Sequence, residues 1–197
     1  MKTLLFFDTE TTGLPPSFSA PLEYWPRLVQ LAWIEAGVHE DDPSRWKRFN
    51  FIIRPDGFTI PEASSSVHGI TTERALKEGH SLPEVLILFR DALDRSAAVI
   101  CHNTNFDVNV MDGEYARIFQ ETPVARKKQF CTVKRTTNIL KLPNTKYPGK
   151  YKWPNLQELH SWLFGSGFED AHDAMIDVEI TAKCFYELKR RNLLKKG

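Results

Sequence analysis

Leu4-Leu5-Phe6-Phe7-Asp8-Thr9-Glu10-Thr11-Thr12-Gly13 opens the chain with an apolar run that ends in two acids. The run reads as a central β-strand, and a buried strand has no ordinary use for carboxylates. Asp8 and Glu10 are two residues apart, so the pleat turns both side chains to one face. Together in a poorly hydrated place they repel each other and resist desolvation unless something positive lies between them. A hard divalent cation with oxygen ligands, Mg²⁺ or Mn²⁺, meets that need. Gly13 then ends the strand where the backbone calls for φ > 0 or close approach. The competing reading stops the strand at Phe7 and leaves the acids in a wet turn.

The rest of the chain bounds what such a strand belongs to. Its 197 residues suit one domain with a full core, and a hydrophobic fraction of 42% excludes a disordered or membrane-like chain. Apolar runs such as Ala97 to Cys101 are far too short to span a bilayer. One lysine followed by acids, where a signal peptide has its apolar core, implies an intracellular, cytoplasmic protein. Cys101, Cys131 and Cys184, with no Cys-x-x-Cys, fit reduced thiols.

The net charge of +1 is uninformative, but its distribution is not. From Arg126 to Lys152 there are nine basic residues and no Asp or Glu, with Tyr147, Tyr151 and Trp153 around the end of the run. Such a segment suits a phosphate backbone and stacked bases; its plainer reading is a solvated loop. Lys189-Arg190-Arg191 and Lys195-Lys196 read as a helix end and a basic tail over 191–197.

In chain order, a Ser/Pro-containing loop runs from Leu14 to Pro26, then Leu28–Ala36 and Arg48–Arg54 read as strands. Their short connections predict that the sheet starts as an antiparallel meander. Pro61–His68 reads as a short helix, Ser81-Leu82-Pro83-Glu84 as a capping box opening a helix to Leu93, and Ala97–Cys101 as a strand. A helix over Phe106–Phe119, an edge strand at Gln129–Thr132, and helices over Asn155–Leu163 and Asp170–Leu188 complete the pattern. Strands first, then strand–helix alternation, predict a three-layer α/β domain over 1–190, with a central mixed five-stranded sheet flanked by helices.

Two further segments carry acids. His102-Asn103-Thr104-Asn105-Phe106-Asp107 follows a strand at its C-terminal rim, the usual address of a site in an α/β sheet. Asp107 there is favoured by free helix N–H groups, with a mere cap at Asn105 or Asp107 as the alternative. In His172-Asp173-Ala174-Met175-Ile176-Asp177 the five-residue separation puts His172 at the mouth of a site and Asp177 a turn deeper. Asp173 is the rival ligand.

Together these segments resemble the DEDDh 3′–5′ exonucleases, the DnaQ-like branch of the ribonuclease-H-like superfamily, whose members include polymerase proofreading subunits and RNase T. The resemblance runs from Lys2 to about Leu188. It rests on Phe-Asp-Thr-Glu-Thr-Thr-Gly-Leu at 7–14, Val-His-Gly-Ile-Thr at 67–71, Cys-His-Asn-Thr-Asn-Phe-Asp at 101–107 and Ala-His-Asp-Ala-Met-Ile-Asp at 171–177. It implies two divalent cations, Mg²⁺ or Mn²⁺, held by Asp8, Glu10, Asp107 and Asp177, with Asp8 bridging. A pair of such ions roughly 3.5–4 Å apart stabilises both the attacking and the leaving oxygen of a cleaved phosphodiester. His172 is then the general base.

The implied activity is stepwise hydrolysis from the 3′ end of single-stranded nucleic acid, DNA favoured, releasing nucleoside 5′-monophosphates, with repair and proofreading as its settings. Trimming of RNA or oligoribonucleotides and a non-catalytic binding module are the alternatives. Secondary roles implied are contacts from Thr11 and Leu14 to the last nucleotides, a base pocket at His68 and Gly69, loop orientation by Asn103, and packing or stacking by Phe106. No recognisable polymerase-tethering segment follows Leu188, which favours a stand-alone enzyme and leaves a polymerase or a second copy open as partner.

Overall fold

The computed structural model describes residues 3–169 and 171–194. Lys2, Asp170 and the Lys195-Lys196 end of the basic tail lie outside the described residues. Five strands, β1 (Thr3–Thr11), β2 (Leu28–Gly37), β3 (Lys47–Ile52), β4 (Ser96–Cys101) and β5 (Gln129–Cys131), form one sheet in the order β3-β2-β1-β4-β5. β1 pairs antiparallel with β2 and parallel with β4, while β2–β3 is antiparallel and β4–β5 parallel. The sheet is therefore mixed, as predicted, and the C-terminal ends of β1, β4 and β5 share one edge.

Among the described residues seven α-helices surround it: α1 (Glu62–His68), α2 (Thr72–Glu78), α3 (Leu82–Arg95), α4 (Thr104–Phe119), α5 (Thr132–Leu140), α6 (Leu156–Phe164) and α7 (Ala174–Arg190). The two-residue period of β1 divides the core. Leu5 and Phe7 pack with Phe89 of α3 and Val108 and Met111 of α4. Leu4 and Phe6 pack with Val178, Phe185 and Tyr186 of α7, the Phe6 and Phe185 rings meeting edge to face at 5.3 Å. Each fully buried Phe or Leu contributes about 1.5–3 kcal/mol, so α4 and α7 are held hard against opposite faces of β1. By the same parity Asp8 and Glu10 continue the α7 face, and Thr9 the α4 face.

Several sequence expectations shift. β1 runs through both acids to Thr11, so they do not lie in a wet turn, and Gly13 has φ 142° just beyond. Ser81 makes no side-chain cap bond, so the predicted capping box does not form; a proline in the first turn starts α3 instead. Neither Asn105 nor Asp107 caps α4, whose N-cap is Asn103 in the left-handed conformation at φ 75°. The last helix starts at Ala174, later than expected, because Asp173 caps it. Two helices went unread, α2 and α5, and α5 takes up the first half of the supposed basic loop.

Candidate active site

The edge formed by the C-terminal ends of β1 and β4 gathers the acids. Asp8 and Glu10 project from β1 toward the start of α7, where Glu10 faces Gln30 across the strand pair. Gln30 is buried and bolts that helix start down: its Oε1 accepts from the Ala174 N–H at 3.2 Å, and its Nε2 donates to Asn50 Oδ1 at 3.0 Å and Asp173 Oδ2 at 3.5 Å. Asp173 Oδ1 in turn accepts from the N–H groups of Met175 and Ile176 at 2.8 and 3.4 Å. Asp173 is thereby committed as a cap.

One turn on, Asp177 comes down to the two strand acids. His172, exposed and at φ 72°, precedes the helix, and its backbone N–H donates to Asp177 Oδ2 at 3.2 Å. Ligand atoms of Glu10, His172 and Asp177 lie within 4.8 Å of one another. From the opposite face, the first turn of α4 brings buried Asp107, whose Oδ1 accepts from the Thr9 hydroxyl at 2.9 Å. Asp8 and Asp107 flank that tighter trio, close enough to feel its charge.

The electrostatics record the crowding. Burial and then the like charges of Asp107, Asp177 and Glu10 hold Asp8 well above the usual carboxylate range. Glu10 is pushed up to about 8 by burial and then by Asp177 and Asp107. Burial raises Asp107 to about 7 against the opposing Thr9 hydrogen bond, and Asp177 to about 6 against the His172 backbone N–H. Asp177 Oδ1 is buried with no hydrogen-bond partner. A hard cation answers all of these at once, since it replaces the lost hydration and cancels the mutual repulsion.

Beside the acids lies a groove of about 370 Å³ whose wall includes Glu10, Thr11, Leu14, His68 and Phe106. His68 Nδ1 accepts from the Ile70 N–H at 3.1 Å, so the neutral ring carries its proton on Nε2, which is buried and unpartnered. Burial also lowers the His68 pKa, keeping that neutral form. Leu14 at the rim is 78% exposed.

A family profile described as exonuclease, the RNase T type, matches residues 5–185. The chain belongs to the RNase T exonuclease family. Among similar proteins, DNA polymerase III subunit epsilon of Salmonella typhimurium is 28% identical over 182 residues, covering 92% of this chain and 69% of that protein. The Haemophilus influenzae subunit is 30% identical over 186 residues, covering 92% and 65%. E. coli exonuclease I solved with a dA16 oligonucleotide superposes with a TM-score of 0.74 at 21% identity, over 98% of this chain and 42% of that one. The chain thus spans less than half the length of that structure, and at this identity the likeness shows the RNase-H-like α/β fold.

Of the residues expected in the site, the fold brings together Asp8, Glu10, Asp107, His172 and Asp177, with Thr11, Leu14, His68 and Phe106 in the adjoining groove. Gly69 and Asn103 do not line it. Gly69 ends α1 at φ 72°, and Asn103 starts α4; both set backbone direction. Sequence reasoning missed Ala63, Ser64 and Val67, which form the groove's α1 wall. It also missed Gln30, although its place opposite Glu10 in the apolar first half of β2 is a legible signal. His102 is no acid–base group: its Nε2 donates to the Pro154 carbonyl at 3.1 Å, Nδ1 faces Thr132 Oγ1 at 2.8 Å, and burial lowers its pKa to about 4.

Proposed function

We propose that this chain is a metal-dependent 3′–5′ exonuclease that removes nucleoside 5′-monophosphates one at a time from single-stranded DNA. The observation that carries the reading is the convergence of four carboxylates, all held above their usual pKa range, on one sheet edge beside a groove. Asp8, Glu10, Asp107 and Asp177 would hold two divalent cations, Mg²⁺ or Mn²⁺, and the donor set fits: hard oxygens, with Asp177 Oδ1 buried and unpartnered. When bound, such ions stabilise charge on the attacking and leaving oxygens and lower the pKa of the attacking water.

The chain's own residues do the rest. The groove receives the terminal nucleotide, with Leu14 wedged at its rim and Phe106 against the base or sugar. Glu10, at the junction of groove and acids, meets the terminal 3′-hydroxyl, which restricts cleavage to strand ends. His172, exposed at the mouth, takes the proton from the attacking water and passes it to solvent. DNA is preferred over RNA because the polymerase III subunits named above are DNA proteins by name and exonuclease I was solved with a dA16 oligonucleotide. Residues 1–190 act as one exonuclease domain. No described helix is long and apolar enough to cross a membrane, and three buried free cysteines support work in the reducing cytoplasm.

Digestion of matched DNA and RNA strands labelled at either end, with and without Mg²⁺ or Mn²⁺, tests this. The expected result is metal-dependent release of 5′-mononucleotides from the 3′ label, faster on DNA, and none with Asp8→Asn. Internal cleavage, or a wild-type rate in Asp8→Asn, would overturn the reading. Faster digestion of RNA would keep the chemistry and change the substrate.

A further inference from the structure

The second half of the basic segment is a built hairpin. The Lys152 N–H donates to the Leu142 carbonyl at 2.9 Å, and Pro143 bridges antiparallel to Tyr151. Its tip turns at Tyr147-Pro148-Gly149-Lys150, closed by Lys150 N–H to Tyr147 O at 3.1 Å, with Gly149 at φ 84° supplying the left-handed residue. Asn144 Oδ1 braces the ascent by accepting from the N–H groups of Lys146 and Tyr147, both at 3.0 Å. The base is fixed by His102, which donates to the Pro154 carbonyl at 3.1 Å. His102 directly follows β4, so the hairpin stands on the same sheet edge as the acids, on the β5 side of α4.

What this hairpin displays is unusual for a folded surface. Tyr147 is 54% exposed, Tyr151 43% and Trp153 58%, although burying such rings is among the larger gains open to a fold. Lys146 and Lys150 each hold their Nζ over the Tyr147 ring, at 5.6 and 5.9 Å from its centroid, and form no ion pair among the described residues. Lys152 is paired with Glu158, which leaves the tip cations unneutralised in a stretch with no acid from Arg126 to Lys152.

We infer that the 142–153 hairpin is a second binding surface for single-stranded nucleic acid, gripping the strand several nucleotides upstream of the one being removed. Bases stack on Tyr147 and Trp153, while Lys146 and Lys150 neutralise phosphates. This rests on the proposed action on single strands but adds a surface outside the catalytic groove. Its consequence is length dependence: a strand long enough to reach the hairpin is held, and a dinucleotide is not.

Two variants separate the contributions, Tyr147→Ala/Trp153→Ala and Lys146→Gln/Lys150→Gln, with Lys77→Gln on exposed α2 as control. Anisotropy of a 5′-labelled 16-nucleotide deoxythymidine strand in EDTA reads binding without hydrolysis. The aromatic pair is expected to weaken it about thirtyfold or more, since two stacked bases lose their platforms at once. The lysine pair is expected to flatten the slope of log affinity against log salt by about 1.4, since single strands lose roughly 0.7 per phosphate contact. In digestion, KM for the 16-mer rises with kcat and dinucleotide kinetics unchanged. Unchanged 16-mer binding, equal losses for both lengths, or full displacement of the strand by polyglutamate at equal charge would each overturn the inference. A wild type that binds through the hairpin but digests nothing would sink the proposed function and leave this surface standing. A wild type that digests, with binding blind to the hairpin, would do the reverse.

Discussion

Metal-free protein is expected to lose stability as pH rises from 6.5 to 8, opposite to the usual behaviour of surface carboxylates. Glu10 titrates near 8 in the fold against 4.5 when unfolded, and Asp107 near 7 and Asp177 near 6 against 3.8. A folded state that keeps protons the unfolded chain has already released is fully stabilised below the unfolded pKa and loses that advantage as pH climbs through the folded one. Integrated over this window at about 1.4 kcal/mol per unit, Glu10 contributes a loss of about 2 kcal/mol, Asp107 about 1, and Asp177 little. Asp8, raised in the same direction, adds to the sign. His102, depressed to about 4, and His68, also lowered, work the other way: half the unfolded imidazoles are still charged at pH 6.5, so His102 offsets about half a kcal/mol across the window and His68 has the same sign. A net loss near 2 kcal/mol corresponds to a fall in Tm of roughly 4–8 °C for a chain of this size. Circular-dichroism melts in EDTA at half-unit pH steps measure it. Saturating Mg²⁺ should abolish the slope, because bound cations keep the acids ionised at every pH in the window and stabilise the fold by mass action. An EDTA Tm that stays flat or rises from pH 6.5 to 8 would refute the reasoning.

Other perturbations probe separate parts of the site. His172→Ala should lower kcat by about 10²–10⁴ while the Mg²⁺-induced rise in Tm persists, which steady-state rates and melts read together. Gln30→Leu removes the acceptor for the buried Ala174 N–H; a stability loss of about 1–3 kcal/mol in urea and a kcat fall of roughly tenfold or more at near-constant KM are expected as the start of α7 drifts. Glu114→Ala strands Arg27 and Arg117 beside an emptied buried site and should cost about 3–5 kcal/mol in a denaturant melt.

The sheet was legible because β1, β2 and β4 carry apolar runs that only a buried strand uses, and because two acids interrupt one of them at a two-residue spacing. The start of α7 was less so: Asp173 and Asp177 are equivalent by spacing, and only the cap bonds to Met175 and Ile176 tell them apart. α5 was unreadable from propensity. Thr-Val-Lys-Arg-Thr-Thr-Asn-Ile-Leu is rich in β-branched residues, and the helix is held by burial of Thr132, Val133 and Thr136 on one face, with the Thr136 and Thr137 hydroxyls satisfied on backbone carbonyls. The groove wall at Ala63, Ser64 and Val67 has no chemical signature at all; it is set by where α1 lands after β3.

A buried acid need not be a functional one, and this fold contains both kinds. Glu114 is fully buried yet satisfied, accepting from Arg27 Nε and the Leu28 N–H, both at 2.9 Å, with Arg117 alongside at 3.3 Å. Asp112 likewise receives the N–H groups of Val124 and Ala125. Glu114 has arginines beside it and Asp112 a donor on each carboxylate oxygen, whereas among the described residues the site acids have no Lys or Arg alongside and Asp177 Oδ1 has no donor at all. Asp107 is positioned by a hydroxyl, Asp177 by a backbone N–H, and the helix bearing Asp177 by the amide of Gln30. These are neutral donors, which fix direction without cancelling charge, and no Lys or Arg forms an ion pair with Asp8, Glu10, Asp107 or Asp177 among the described residues. An arginine here would relieve the repulsion and improve stability, but it would also occupy the charge. Leaving four carboxylates positioned but unneutralised is unfavourable for the fold alone, and it becomes favourable when a cation arrives from outside.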